Sequence, residues 1–181
     1  LLFVSLRPEF RKAQIFRLKP DINLSEPVRD TVDRPLVTTK LLTFDLSVWI
    51  LFFFVFTIIF HLLYAANSAP GKWYWKFLSE GHNPVRWLEY AISAGIMSGI
   101  IGATAGVREG NALFTIVLAI AAVMLQGAIV ERQLFSPIPD KQTVKYAFGT
   151  GWLLLLGAWV PITYSLVKNI SDVRNASEDY K

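Results

Sequence analysis

The chain has 181 residues, 53% of them hydrophobic and 18% charged, with a mean hydropathy of +0.40. Soluble domains carry about 25% charged and about 45–50% apolar residues, so the balance favours lipid over water and excludes disordered and collagen-like chains. Cysteine is absent, which removes disulfides and thiolate chemistry, and the formal charge of +4 is spread over several loops, unlike a nucleic-acid footprint.

Residues 1–43 form a polar arm in which Arg7, Arg11, Lys12, Arg17, Lys19, Arg29, Arg34 and Lys40 alternate with Glu9, Asp21, Glu26, Asp30 and Asp33. Pro8, Pro20, Pro27 and Pro35 punctuate it, so an extended or β-ribbon path is expected rather than helix. An arm with so little apolar area is expected to dock on a partner chain. Leu1 stands where an initiator Met would, which leaves a processed and an incomplete N-terminus both open.

Four apolar stretches follow, each long enough to cross a hydrocarbon core of about 30 Å. Span A runs from about Phe44 to Ala66, span B from Val85 to Val107, span C from Asn111 to Glu131 and span D from Val144 to Val167. The Arg108-Glu109-Gly110 turn is short enough to make B and C an antiparallel hairpin. Residues 44–167 are thus read as a four-helix transmembrane domain and residues 168–181 as a polar C-terminal tail. Lys and Arg near the span ends are almost balanced between the two sides, which leaves orientation open.

Glu89 is the most informative residue, because it lies about one turn inside span B, where a carboxylate is expensive and is usually paired or functional. Arg86, three residues earlier on the same face, offers the plainer reading of an interfacial ion pair. Ser93 follows Glu89 by four residues, and Thr57 and His61 have the same spacing in span A. These four groups could line one polar pocket between A and B for a cation, a protonated imine or water. The competing reading makes His61 a hydrogen-bonded packing residue beside Tyr64.

Gly95, Gly99, Gly102 and Gly106 form small-xxx-small steps along span B that let another helix approach closely. Most of the six tryptophans fall near span ends, as interfacial anchors do, and Pro161 interrupts span D. Asn169-Ile-Ser171 and Asn175-Ala-Ser177 fit a glycosylation pattern that is common by chance. No GxGxxG, P-loop, HExxH or nucleophile elbow is present, so a non-catalytic membrane protein is expected.

The run Gly81-His82-Asn83-Pro84-Val85-Arg86-Trp87-Leu88-Glu89-Tyr90-Ala91-Ile92-Ser93, preceded by Phe60-His61, resembles the second and third helices of the heliorhodopsins. Spans C and D are similar to that family's fourth and fifth helices. The resemblance implies an all-α integral membrane fold: four transmembrane helices that form a partial rhodopsin-like bundle. It also implies that Glu89 matches the counter-ion of a protonated retinal Schiff base, with Thr57, His61 and Ser93 as the polar groups around it. No lysine lies inside a span, so the 181 residues as given are expected to hold no retinal covalently.

Two hypotheses follow. In the first, the chain is an accessory, structural subunit of a membrane complex, without a cofactor. It contacts lipids and other subunits through its arm and the glycine-lined span B. In the second, it is an incomplete piece of a retinal-binding light sensor. Either way the protein is integral and multi-pass, in a membrane the sequence does not identify.

Overall fold

A computed structural model of the chain describes residues 12–20 and 36–178. Strands β1 (Lys12–Pro20) and β2 (Leu36–Asp45) pair antiparallel, with Lys12 opposite Asp45 and Pro20 opposite Leu36. A bulge interrupts the register between Ile15 and Phe16. The ribbon expected for the arm is therefore present in its described part. Leu1–Val4, Pro8, Pro27 and Pro35 lie outside the described residues.

The described part of the arm touches its own bundle. Ile15 is half-buried and packs against the apolar cluster of the helices, and β1 touches the third long helix. A paired ribbon satisfies most of its own backbone hydrogen bonds, so it can rest on its bundle through apolar side chains such as Ile15.

β2 runs directly into α1 (Leu46–Asn67), where Asp45 ends the strand and caps the helix, its Oδ1 accepting from the Ser47 amide at 2.9 Å. A short helix, α2 (Trp73–Ser79), occupies the tryptophan-rich connection that the sequence suggests is a loop. It is drawn inward by Tyr74, which is buried and stacks on Tyr64. α3 (Pro84–Ala105) begins with Asn83 as cap and Pro84 at its first position, where the missing N–H costs nothing.

α3 ends at Gly106, whose φ of +104° lies in the left-handed region. The Val107 amide bonds Gly102 O at 2.9 Å and the Gly106 amide bonds Ala103 O at 3.3 Å, the paired pattern that closes many helices. From this turn α4 (Gly110–Leu134) returns antiparallel, capped by Glu109, whose carboxylate accepts from the Ala112 amide at 2.5 Å. The expected hairpin is thus formed.

The last helix, α5 (Lys141–Glu178), has 38 residues and is continuous through Pro161. At 1.5 Å per residue it is about 57 Å long, well beyond a bilayer's hydrocarbon core. The polar segment after Val167 is therefore helical as far as Glu178. Polarity ends the span there, but no glycine or proline ends the helix.

Among the four long helices α4 packs along both α3 and α5, α3 also touches α5, and α1 touches mainly α3. All four are long and apolar enough to cross a membrane. The apolar core lies between α3, α4 and α5 at the ribbon end, and includes Ala103, Leu113, Ile116, Ala158 and Ile162. Asn169 of α5 closes this end by donating to Ala105 O at 2.8 Å and packing on Gly106. Its amide is engaged, so Asn169 is no free acceptor for a glycan.

The glycine lane of α3 is filled from within the chain. A Cβ at Gly99 would stand 2.9 Å from Val117 of α4, and one at Gly102 would stand 3.1 Å from Leu113. The close helix approach expected along these glycines is thus made by α4.

Candidate functional site

The end of the bundle opposite the ribbon collects the polar side chains. There α1 finishes, α2 crosses, α3 starts and α4 ends. Asn83 sets the start of α3, its Oδ1 accepting from the Arg86 amide at 3.0 Å. The first two turns then place Arg86, Trp87 and Glu89 at fixed angles around the helix.

Glu89 is 2% exposed, and with Ile116 it is one of the two largest fully buried side chains. Its Oε2 accepts from the Tyr64 hydroxyl at 2.7 Å, a hydrogen bond that joins α3 to α1. The same hydroxyl lies 3.3 Å from the Val85 carbonyl, so one hydrogen faces two acceptors. Glu89 Oε1 faces His61 Nδ1 at 3.9 Å. His61 Nδ1 is also 2.8 Å from the Thr57 carbonyl; a carbonyl can only accept, so this nitrogen carries a hydrogen.

The Arg86–Glu89 pair suggested by their spacing does not form. Arg86 turns to α4 and bonds Glu131 Oε1 at 2.6 Å through its terminal nitrogen. Glu131 Oε2 accepts from the Trp87 indole N–H and, at 3.2 Å, from the Asn83 amide. A carboxylate on a neighbouring helix offers the guanidinium a better approach than one on its own helical face, where the two side chains must bend toward each other. Trp87 is more than an interfacial anchor: its ring lies against Gly127, where any Cβ would collide with it.

Of the residues singled out by spacing, Glu89 and His61 face each other and Ser93 is buried one turn deeper on α3. Thr57 Oγ1 is buried without a hydrogen-bond partner among the described residues. Thr57 and His61 line a niche of about 350 Å³ with Ile58 and Leu62, all on α1. The His61 side chain is 68% exposed there. An unpartnered hydroxyl and an open imidazole at this depth suit a polar cover better than lipid tails.

Tyr64, Tyr74, Asn83 and Glu131 join the site without having been singled out as functional. Tyr64 carried a usable signal, since it follows His61 by three residues on one helical face. Glu131 had only its place at the end of an apolar run.

Four membrane-crossing helices, with a carboxyl group buried between the first two of them, define an integral, multi-pass membrane protein. The family model for heliorhodopsin matches residues 15–177, and the chain belongs to the heliorhodopsin family. No curated protein matches it.

The family makes retinal relevant, and the described residues fit one side of such a ligand. Glu89 presents a buried carboxyl group, and Thr57 a buried hydroxyl without a hydrogen-bond partner among the described residues. The amine side is different: Lys72, Lys76, Lys141, Lys145 and Lys168 lie in connections or near the ends of the apolar stretches, and none lies in the middle of a span.

Proposed function

We propose that this chain forms the counter-ion wall of a heliorhodopsin-type chromophore pocket, with Glu89 carrying the charge. The observation that supports it most is the Glu89 carboxylate, 2% exposed inside a span and held by a hydroxyl from a second helix. An ionised carboxylate in hydrocarbon costs several kcal/mol unless something offsets it, so a site of this kind is kept where a cation needs it. Retinal would supply the conjugated polyene, and an amine the nitrogen, of a cation whose charge a buried carboxylate could balance.

In this reading Tyr64 orients Glu89 by fixing Oε2 and leaves Oε1 toward α1. His61 lies beside Oε1, its Nδ1 hydrogen engaged by the Thr57 carbonyl. Thr57 and Ser93 flank the carboxylate as neutral polar groups that can hold water or a ligand atom. The amine comes from outside the middle of the described spans.

A second reading, that of an accessory structural subunit without chromophore, is favoured by that same lack of a mid-span lysine. The outward apolar side chains of α1 also suit helices of another membrane protein. Protein purified from its native membrane separates the two. The counter-ion reading expects a visible absorption band that hydroxylamine bleaches and that Glu89→Gln shifts. Absence of any band, with no retinal extracted and none taken up on adding all-trans retinal, would contradict that reading and favour the subunit. The intact mass of the native polypeptide, compared with the 20.4 kDa of these residues, shows whether the amine is part of the same chain.

A further inference from the structure

Glu89 and Glu131 belong to different helix interfaces, yet an unbroken series of contacts joins them. Tyr64, which donates to Glu89, lies flat against Tyr74 with ring centroids 4.7 Å apart and planes 15° from parallel. The Tyr74 hydroxyl accepts from Asn83 Nδ2 at 2.7 Å. Asn83 is 5% exposed; its Oδ1 is bound to the Arg86 amide, and its own amide donates to Glu131 Oε2. Arg86 and the Trp87 indole complete the coordination of Glu131.

We propose that Tyr74 and Asn83 are positioning residues that couple Glu89 to Glu131, so that a change of charge at Glu89 is felt at Arg86 and Trp87 at the end of the span. This rests on the reading that Glu89 carries a functional charge. The switching element is the Tyr64 hydroxyl, with its two acceptors. While Glu89 is an unbalanced anion it holds the hydrogen, because a charge-assisted bond is about twice as strong as a neutral one. When a proton or a cation offsets the charge, that advantage falls, and a full bond to the Val85 carbonyl, now 3.3 Å away, draws the Tyr64 oxygen and its ring toward it.

Tyr64 cannot turn alone. Tyr74 is 9% exposed and its ring covers that of Tyr64, so a reorientation there presses on the Tyr74 hydroxyl and on the Asn83 amide. Asn83 has both ends of its amide committed and cannot absorb the shift by rotating. The displacement therefore passes to Glu131, which Asn83 touches through its backbone N–H. Among the described residues, the other charged or titratable groups around Glu89 are His61 of α1, at 3.9 Å, and, on its own helix, Tyr90 and Arg86, the latter pointing to Glu131. His61 flanks Glu89 but contacts neither Tyr74 nor Asn83 in this series.

The test removes the charge by substitution, so it does not depend on Glu89 titrating. The full-length protein in lipid nanodiscs is labelled on tryptophan nitrogen, and the indole N–H resonance of Trp87 is assigned by its loss in Trp87→Phe. Glu89→Gln should shift that resonance when Tyr74 is present. In Tyr74→Leu, which removes ring and hydroxyl, the shift caused by Glu89→Gln should vanish. In Tyr74→Phe, which keeps the stacked ring and preserves the fold, the shift should be reduced. A merely structural Tyr74 would move the resonance by itself and leave the effect of Glu89→Gln intact. An equal shift with and without the Tyr74 ring and hydroxyl, or no shift in the wild-type background, would overturn the coupling. The counter-ion reading fails separately, if Glu89→Gln leaves the absorption of the native protein unchanged.

Discussion

α1 and α3 have 22 residues each and both can cross a bilayer, but nine residues of α3 are buried and none of α1. The more apolar helix is the more exposed one. Lipid tails solvate Leu, Ile and Phe as well as a protein interior does, so apolar side chains give a helix no reason to leave lipid. What gathers α3 into the bundle is what it lacks in bulk and what it carries in polarity: Gly95, Gly99 and Gly102 against α4, and Glu89, Ser93 and Ser98 turned inward. α1 is held to α3 chiefly at its last turns, where Tyr64 reaches Glu89.

Substitutions of equal size should therefore have unequal effects on the two helices. The largest is expected at the closing turn of α3. Gly106→Ala forces an L side chain into a left-handed conformation and drives it into Asn169, which costs about 2–3 kcal/mol once the Asn169–Ala105 hydrogen bond is also lost. Thermal unfolding in detergent measures it, and Asn169→Ala alone should account for about 1 kcal/mol of the loss. Gly99→Ala should cost about 1 kcal/mol, because its Cβ would meet Val117 at 2.9 Å. On α1, Phe54→Leu exchanges one lipid-facing side chain for another and should stay within about 0.5 kcal/mol of wild type. If Phe54→Leu destabilised as much as Gly99→Ala, the contrast between the helices would break.

The smallest effect is a pH dependence at the start of α5. Asp140 accepts from the Thr143 hydroxyl at 2.6 Å and from the Gln142 amide at 2.9 Å, and the first of these, with the second, holds its carboxyl below the usual aspartate range. A lowered folded value means that the cap contributes fully above the unfolded value and is lost as pH falls through the folded one. Amide exchange at Gln142 and Thr143 should accelerate over that acid interval, and Asp140→Asn should remove the dependence.

The difference between α1 and α3 also explains what the sequence could disclose. The spans were legible because about 20 apolar residues in a row have few other uses, and Glu89 stood out because a carboxylate inside such a run needs a reason. The tight turn before Gly110 disclosed the α3–α4 hairpin. Arg86 and Glu131 were hidden from one another because they are 45 residues apart, and helical spacing reveals only neighbours one turn away. The same spacing wrongly suggested Glu89 for Arg86. Tyr64 reads as a packing residue until the angle between α1 and α3 is known. Ile15 is one apolar residue in a polar arm, and only the ribbon's bulge and pairing place it on the core. α5 runs on past the end of span D because polarity marks where lipid stops, not where a helix does.

α1 joins the bundle through a hydrogen bond from Tyr64 to the buried Glu89 carboxylate. A double-mutant cycle of Tyr64→Phe and Glu89→Gln, measured by unfolding of the protein in one detergent at one pH, tests it directly. A hydrogen bond to a charged group contributes about 1.5–3 kcal/mol, so the two changes should be strongly non-additive, with a coupling above about 1 kcal/mol. Additivity within about 0.5 kcal/mol would mean that the two groups do not share a bond, and would contradict the account.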